Sequence, residues 1–121
     1  MAWVVEFYED DSGCPVRDFL DGLDDARRAK LLAAIKLLEE HGPTLPFPYS
    51  SQIEGKLREL RTRSADERLR VMYFGDPKRA FVLLHAFMKH TGKTPSRDIE
   101  VARSRVKAHV ERLKKKRGRK K

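Results

Sequence analysis

Apolar positions first cluster at Val4–Tyr8, ahead of the acidic turn Glu9-Asp10-Asp11-Ser12-Gly13, which predicts a short first strand. Pro15 then suits the first position of a helix, and Val16, Phe19, Leu20 and Leu23 recur at helical spacing on one face. Asp24 is a natural N-cap for a second helix whose stripe is Leu31, Ala34, Ile35 and Leu38. His41-Gly42-Pro43 stops it. The two helices read as a hairpin that covers one face of a sheet. Thr44–Gln52 interleaves Pro46 and Pro48 with Leu45, Phe47 and Tyr49, the mark of an ordered connector. Tyr49 is expected to seal the core edge.

Three strand-like segments follow, at Lys56–Thr62, Arg68–Phe74 and Ala80–Met88, separated by Ser64-Ala65-Asp66 and Gly75-Asp76-Pro77. In the middle segment Leu69, Val71 and Tyr73 alternate with Arg68, Arg70, Met72 and Phe74. The third is apolar on both sides, with Phe81, Leu83, His85 and Phe87 on one and Val82, Leu84, Ala86 and Met88 on the other, as a doubly covered strand requires. A final helix starts near Thr94-Pro95 and carries the stripe Ile99, Ala102, Val106, Val110 and Leu113 on an otherwise basic surface. The predicted fold is α+β: a small antiparallel sheet, made of the N-terminal strand and a three-strand meander, packed on the helix hairpin. A C-terminal helix completes a domain over residues 1–113, and residues 114–121 form a disordered basic tail.

Charge changes this picture. The net charge is +9, but it is unevenly spread: residues 1–25 carry eight acidic groups against Arg17, whereas Lys114–Lys121 holds seven cations in eight residues. Such asymmetry points to a polyanionic partner. Within the meander, Arg58, Arg61, Arg68, Arg70 and Lys89 sit in or at the ends of strands, where neutral residues are the usual choice. They are either solvated surface cations or a face built for phosphate.

Other chemistry is absent from the sequence. The single cysteine, Cys14, rules out an internal disulfide and fits a reducing, cytoplasmic setting. No long apolar run or signal-peptide pattern occurs, so no membrane partner is expected. His41, His85, His90 and His109 are scattered without zinc-site spacing. There is no phosphate-binding glycine loop or nucleophile elbow, and no metal or other cofactor is expected. His85 and Tyr73, inside apolar runs, read first as core residues.

The element order, together with E-L-R at Glu59–Arg61, L-R-V-M-Y-F at Leu69–Phe74 and L-L-H-A-F-M-K-H-T-G-K-T-P at Leu83–Pro95, resembles the RelE/ParE superfamily of toxins. The nearest branch is the phage-derived HigB-type group of toxin–antitoxin systems. The resemblance implies a toxin that cleaves messenger RNA, in the ribosomal A site, without a metal. It implies as partners the ribosome, the message and a cognate antitoxin of helix-turn-helix type. Matched residue by residue, it marks Arg61, Arg70, His85, Phe87, Lys89, Lys93 and Thr94. Ala86 and His90 depart from the commoner glycine and lysine.

On this reading Arg70, assisted by Arg61, offsets charge on the reacting phosphate, and Lys89 or His90 moves the proton. Phe87, Lys93, Thr94, Arg58 and Arg68 bind substrate, with Phe87 or Tyr73 available to stack a base. Two other functions fit the same chain. One is a ParE-like gyrase poison, a non-enzymatic inhibitor with no need of cations on the sheet face. The other is a basic nucleic-acid-binding accessory protein.

Overall fold

A computed structural model describes residues 3–62, 68–76, 80–89 and 94–119, with side chains through Lys116. The elements run β1 (Val4–Phe7), α1 (Pro15–Asp21), α2 (Asp25–His41), β2 (Ser50–Glu54), β3 (Leu57–Arg61), β4 (Leu69–Gly75), β5 (Ala80–Met88) and α3 (Ser96–Arg119). The strands form one five-stranded sheet in the order β1-β5-β4-β3-β2. The predicted α+β architecture is present. The meander is antiparallel, but β1 runs parallel to β5, since the chain crosses over through α1 and α2 before returning.

The second edge strand, β2, has no counterpart in the sequence reading. Ser50, Ser51 and Gln52 have little strand preference, and the prolines before them read as connector. What makes the strand is the turn at Gly55-Lys56, where Gly55 has φ +51 and joins β2 to β3 as a hairpin.

Each face of the sheet is covered. On one side Leu60, Leu69, Val71, Tyr73, Phe81, Leu83 and Ala86 pack with Val16 and Leu20 of α1 and Leu31, Ala34, Ile35 and Leu38 of α2. On the other, Met72, Phe74, Val82, Leu84 and Phe87 pack under Ala102 of α3, with Ile99 and Val106 alongside. Asp24 caps α2 as its sequence indicates, accepting the Arg27 N–H at 2.8 Å.

α2 ends at Gly42, whose φ of +56 requires glycine. A Cβ there would also run into the indole of Trp3, while the Trp3 N–H donates to the Glu39 carbonyl at 2.7 Å. Gly42→Ala is therefore expected to lower stability by about 1–3 kcal/mol, from strain and overpacking together. A urea-midpoint shift near zero would show that the Trp3 strap is not fixed against the helix end.

α3 departs from expectation at its end. The helix continues through residues 114–119, which the sequence assigns to a disordered tail. Lysine and arginine are good helix formers, and cations at a helix C-terminus complement its dipole, so a helix already begun at Ser96 is carried onward.

Candidate active site

The site forms where β3, β4 and β5 lie side by side. Register pairs Arg61 with Arg70 and Arg70 with Phe87, and directly paired residues share a face. That face is the one on which α3 packs. Strict alternation along β5 would place Phe87 and Lys89 on the opposite face, with Leu83. A bulge corrects this: Met72 pairs with His85 but Tyr73 pairs with Leu83, so Leu84 is an extra residue. His85, Phe87 and Lys89 are thereby turned to Arg70. The Leu84 carbonyl accepts from Arg105 Nη1 of α3 at 2.8 Å.

A residue given no role from sequence, Glu59, lies at the centre. Its side chain is only 3% exposed, and its Oε1 is 3.5 Å from Arg70 Nε and 3.9 Å from Lys89 Nζ. Its Oε2 accepts a hydrogen bond from Thr94 Oγ1 at 2.6 Å. Glu59 thus ties β3, β4, the end of β5 and the start of α3 into one polar cluster. The available signal was strand alternation: Glu59 shares parity with Arg61, and a carboxylate on a covered sheet face needs cationic partners.

Electrostatically the cluster remains cationic. Burial, above all, pulls the Arg70 guanidinium below its ordinary pKa; Arg61 adds to this, Glu59 opposes it, and Arg68 adds to it again. Arginine keeps its charge near neutrality regardless. Among the described residues, Arg61, Arg68, Arg70 and Lys89 gather around the Glu59 carboxylate, a grouping of cations that suits an anionic ligand.

Arg61 lies with its guanidinium over the Phe47 ring, 5.4 Å from the centroid. Arg68 is exposed at the start of β4, and its carbonyl accepts the Lys89 N–H at 2.7 Å. Arg58 is not in the cluster. It pairs with Tyr73 on the opposite face and donates through Nε to Ser50 Oγ at 2.9 Å, which in turn bonds the Tyr73 hydroxyl at 2.6 Å. Phe87 and Tyr73 do not offer stacking surfaces. Phe87 is 7% exposed and stacked on the His85 ring, and Tyr73 is 1% exposed in the core. His85, expected in the core, is instead part-buried beneath α3, its Nε2 2.6 Å from Asp98 Oδ1 and its Nδ1 3.4 Å from Arg105 Nη1. His90 and Lys93 lie outside the described residues.

A small α+β sheet sandwiched between two short-linked helices and a third, with cations gathered on the third helix's face, defines the structural class. Residues 18–107 match the family model described as phage-derived protein Gp49-like (DUF891), and the chain belongs to that family. The Gp49-like proteins belong to the RelE/HigB-like toxins of toxin–antitoxin systems, which implies a cognate antitoxin as partner. None of the curated proteins compared with it matches the chain. Among the described residues, no helix is long and apolar enough to cross a membrane.

Proposed function

We propose that this chain is the toxin of a toxin–antitoxin pair and acts as a metal-independent endoribonuclease on messenger RNA in the ribosomal A site. The supporting observation is the sheet face itself: Arg61, Arg70 and Lys89 share it with the buried Glu59 carboxylate among them. A phosphodiester is the fitting further counter-ion, because guanidinium groups grip phosphate oxygens in pairs.

The reaction proceeds by attack of a ribose 2′-oxygen on the adjacent phosphorus, with cleavage of the bond to the 5′-oxygen. The products are a 2′,3′-cyclic phosphate and a 5′-hydroxyl, and the proton lost from the 2′-oxygen balances the one the 5′-oxygen gains. Arg70, with Arg61 beside it, offsets charge on the non-bridging oxygens. Lys89 or His90 handles the proton. Glu59 is a positioning residue that aims Arg70 and Lys89 and is itself aimed by Thr94. Arg68 and Lys93 guide the RNA backbone. Arg58 and Phe87 drop out of the set, the first for its face and the second because its ring is already stacked on His85 within the core under α3. The antitoxin, of helix-turn-helix type, neutralises the toxin by covering this face or holding α3.

Arg61→Ala is the cleanest test, since this side chain is half-buried and its neighbour is an exposed ring. It is expected to reduce cleavage on purified translating ribosomes about 10²–10³-fold, by analogy with removal of one charge-stabilising donor, while the melting temperature barely moves. Primer extension on the message reads the result. Undiminished cleavage by Arg61→Ala would remove this site. Intact messages together with DNA damage after induction of the parent would favour the gyrase reading.

A further inference from the structure

Phe47 has no role in the chemistry above, yet it is 71% exposed, the most exposed of the large hydrophobic side chains described. An isolated exposed apolar residue needs no explanation on its own. Three observations set this one apart. It is held rigidly: Pro46 and Pro48 flank it, and the Pro46 carbonyl accepts from the Tyr49 and Ser50 N–H groups at 3.0 and 3.1 Å. Its turn is fastened to β3, where the Arg61 N–H donates to the Tyr49 carbonyl at 2.8 Å. And the Arg61 guanidinium already lies over the ring while Arg61 pairs across the strands with Arg70. The ring thus stands one side chain away from the phosphate seat, with most of its surface open.

We infer that Phe47 is a stacking platform for an unpaired base of the RNA, the nucleotide next to the phosphate held by Arg61 and Arg70. This rests on the nuclease reading for its substrate but on a different residue for its contact. A base laid on the ring completes a stack of guanidinium, phenyl and base, which favours single-stranded nucleic acid without reading sequence. The cationic rim is what selects RNA over an apolar protein partner. Arg61 lies on the ring and pairs across the strands with Arg70, so the open side of the ring borders cations that suit a phosphate backbone better than an apolar protein surface.

The experiment uses the full chain and a short single-stranded oligoribonucleotide with 2′-O-methyl groups, which binds without being cleaved. Phe47→Ala is expected to weaken binding about 5- to 100-fold, and Phe47→Trp to restore it with quenching of the new indole on titration. With translating ribosomes, Phe47→Ala should raise KM and leave kcat within about twofold, whereas Arg61→Ala lowers kcat. Unchanged oligonucleotide affinity and KM in Phe47→Ala, alongside active parent cleavage, would overturn the platform and spare the nuclease. Quenching in Phe47→Trp with no cleavage by the parent would sink the nuclease and spare the platform. Loss of antitoxin binding without loss of RNA binding would assign the ring to a protein interface and overturn the inference.

Discussion

Replacing Arg70 by alanine is expected to abolish message cleavage and, at the same time, to lower the free energy of unfolding by about 3–5 kcal/mol, as removal of one partner from a buried ion pair commonly does. Arg70 and Glu59 have side chains 8% and 3% exposed, so the Glu59 carboxylate cannot turn to water when the guanidinium goes. Among the described residues, Lys89, at 3.9 Å, and the Thr94 hydroxyl, at 2.6 Å, would remain to it. Loss of activity in Arg70→Ala alone therefore does not assign a catalytic role, because a fold weakened this much gives the same result. A second variant restores the stability of the fold, so that any remaining loss of cleavage belongs to the Arg70–Glu59 pair as a unit. Glu59→Leu combined with Arg70→Met removes both charges and fills the space with apolar groups, an exchange that is often neutral or stabilising. It is expected to recover stability to within about 1.5 kcal/mol of the parent in urea titration. Lys89, 12% exposed, can extend its ammonium toward solvent once Glu59 is gone. Cleavage should stay undetectable in the double variant. Recovered stability with recovered cleavage would show that Arg70 is a structural cation.

That experiment turns on a residue whose importance the sequence half disclosed. Alternation in β4 correctly separates Leu69, Val71 and Tyr73 from Arg70, Met72 and Phe74, because that strand is regular between two covered faces. The same rule fails in β5. The run from Ala80 to Met88 is apolar on both sides, so nothing in it betrays an inserted residue, and the bulge at Leu84 silently reverses the parity of His85 and Phe87. The site depends on that reversal. Helix ends are legible where chemistry is local, as at the Asp24 cap and the Gly42 stop, and β2 is not, because its pairing comes from the hairpin turn after it. Burial is the other blind spot. Phe87 and Phe47 are both aromatics near cations, and only packing distinguishes the covered ring from the open one.

Deleting Lys114–Lys121 is expected to leave the fold intact and to weaken RNA and ribosome binding steeply. Lys114, Lys115 and Lys116 are exposed, and the α3 side chains packed against the core end at Val110, so these residues add little to the core. Removal of residues from Ser96 onward would be a different matter, since it uncovers Met72, Phe74, Val82 and Leu84. As a helix rather than a loose tail, the segment carries Lys114, Lys115 and Lys116 on a stiff arm, each turn adding about 5.4 Å of reach. For every phosphate that the shortened chain no longer grips, the slope of log affinity against log salt should become shallower by about 0.7 for single strands and about 0.9 for duplex. An arm that holds about three or four phosphates therefore accounts for roughly 2 to 4 of that slope. Lys114→Gln, Lys115→Gln and Lys116→Gln together keep the helix and remove only charge. They should reproduce a large part of the slope change, with far-ultraviolet circular dichroism unaltered. A slope that is the same in parent, deletion and triple variant would mean that the arm touches no phosphate, leaving the sheet face to bind RNA alone.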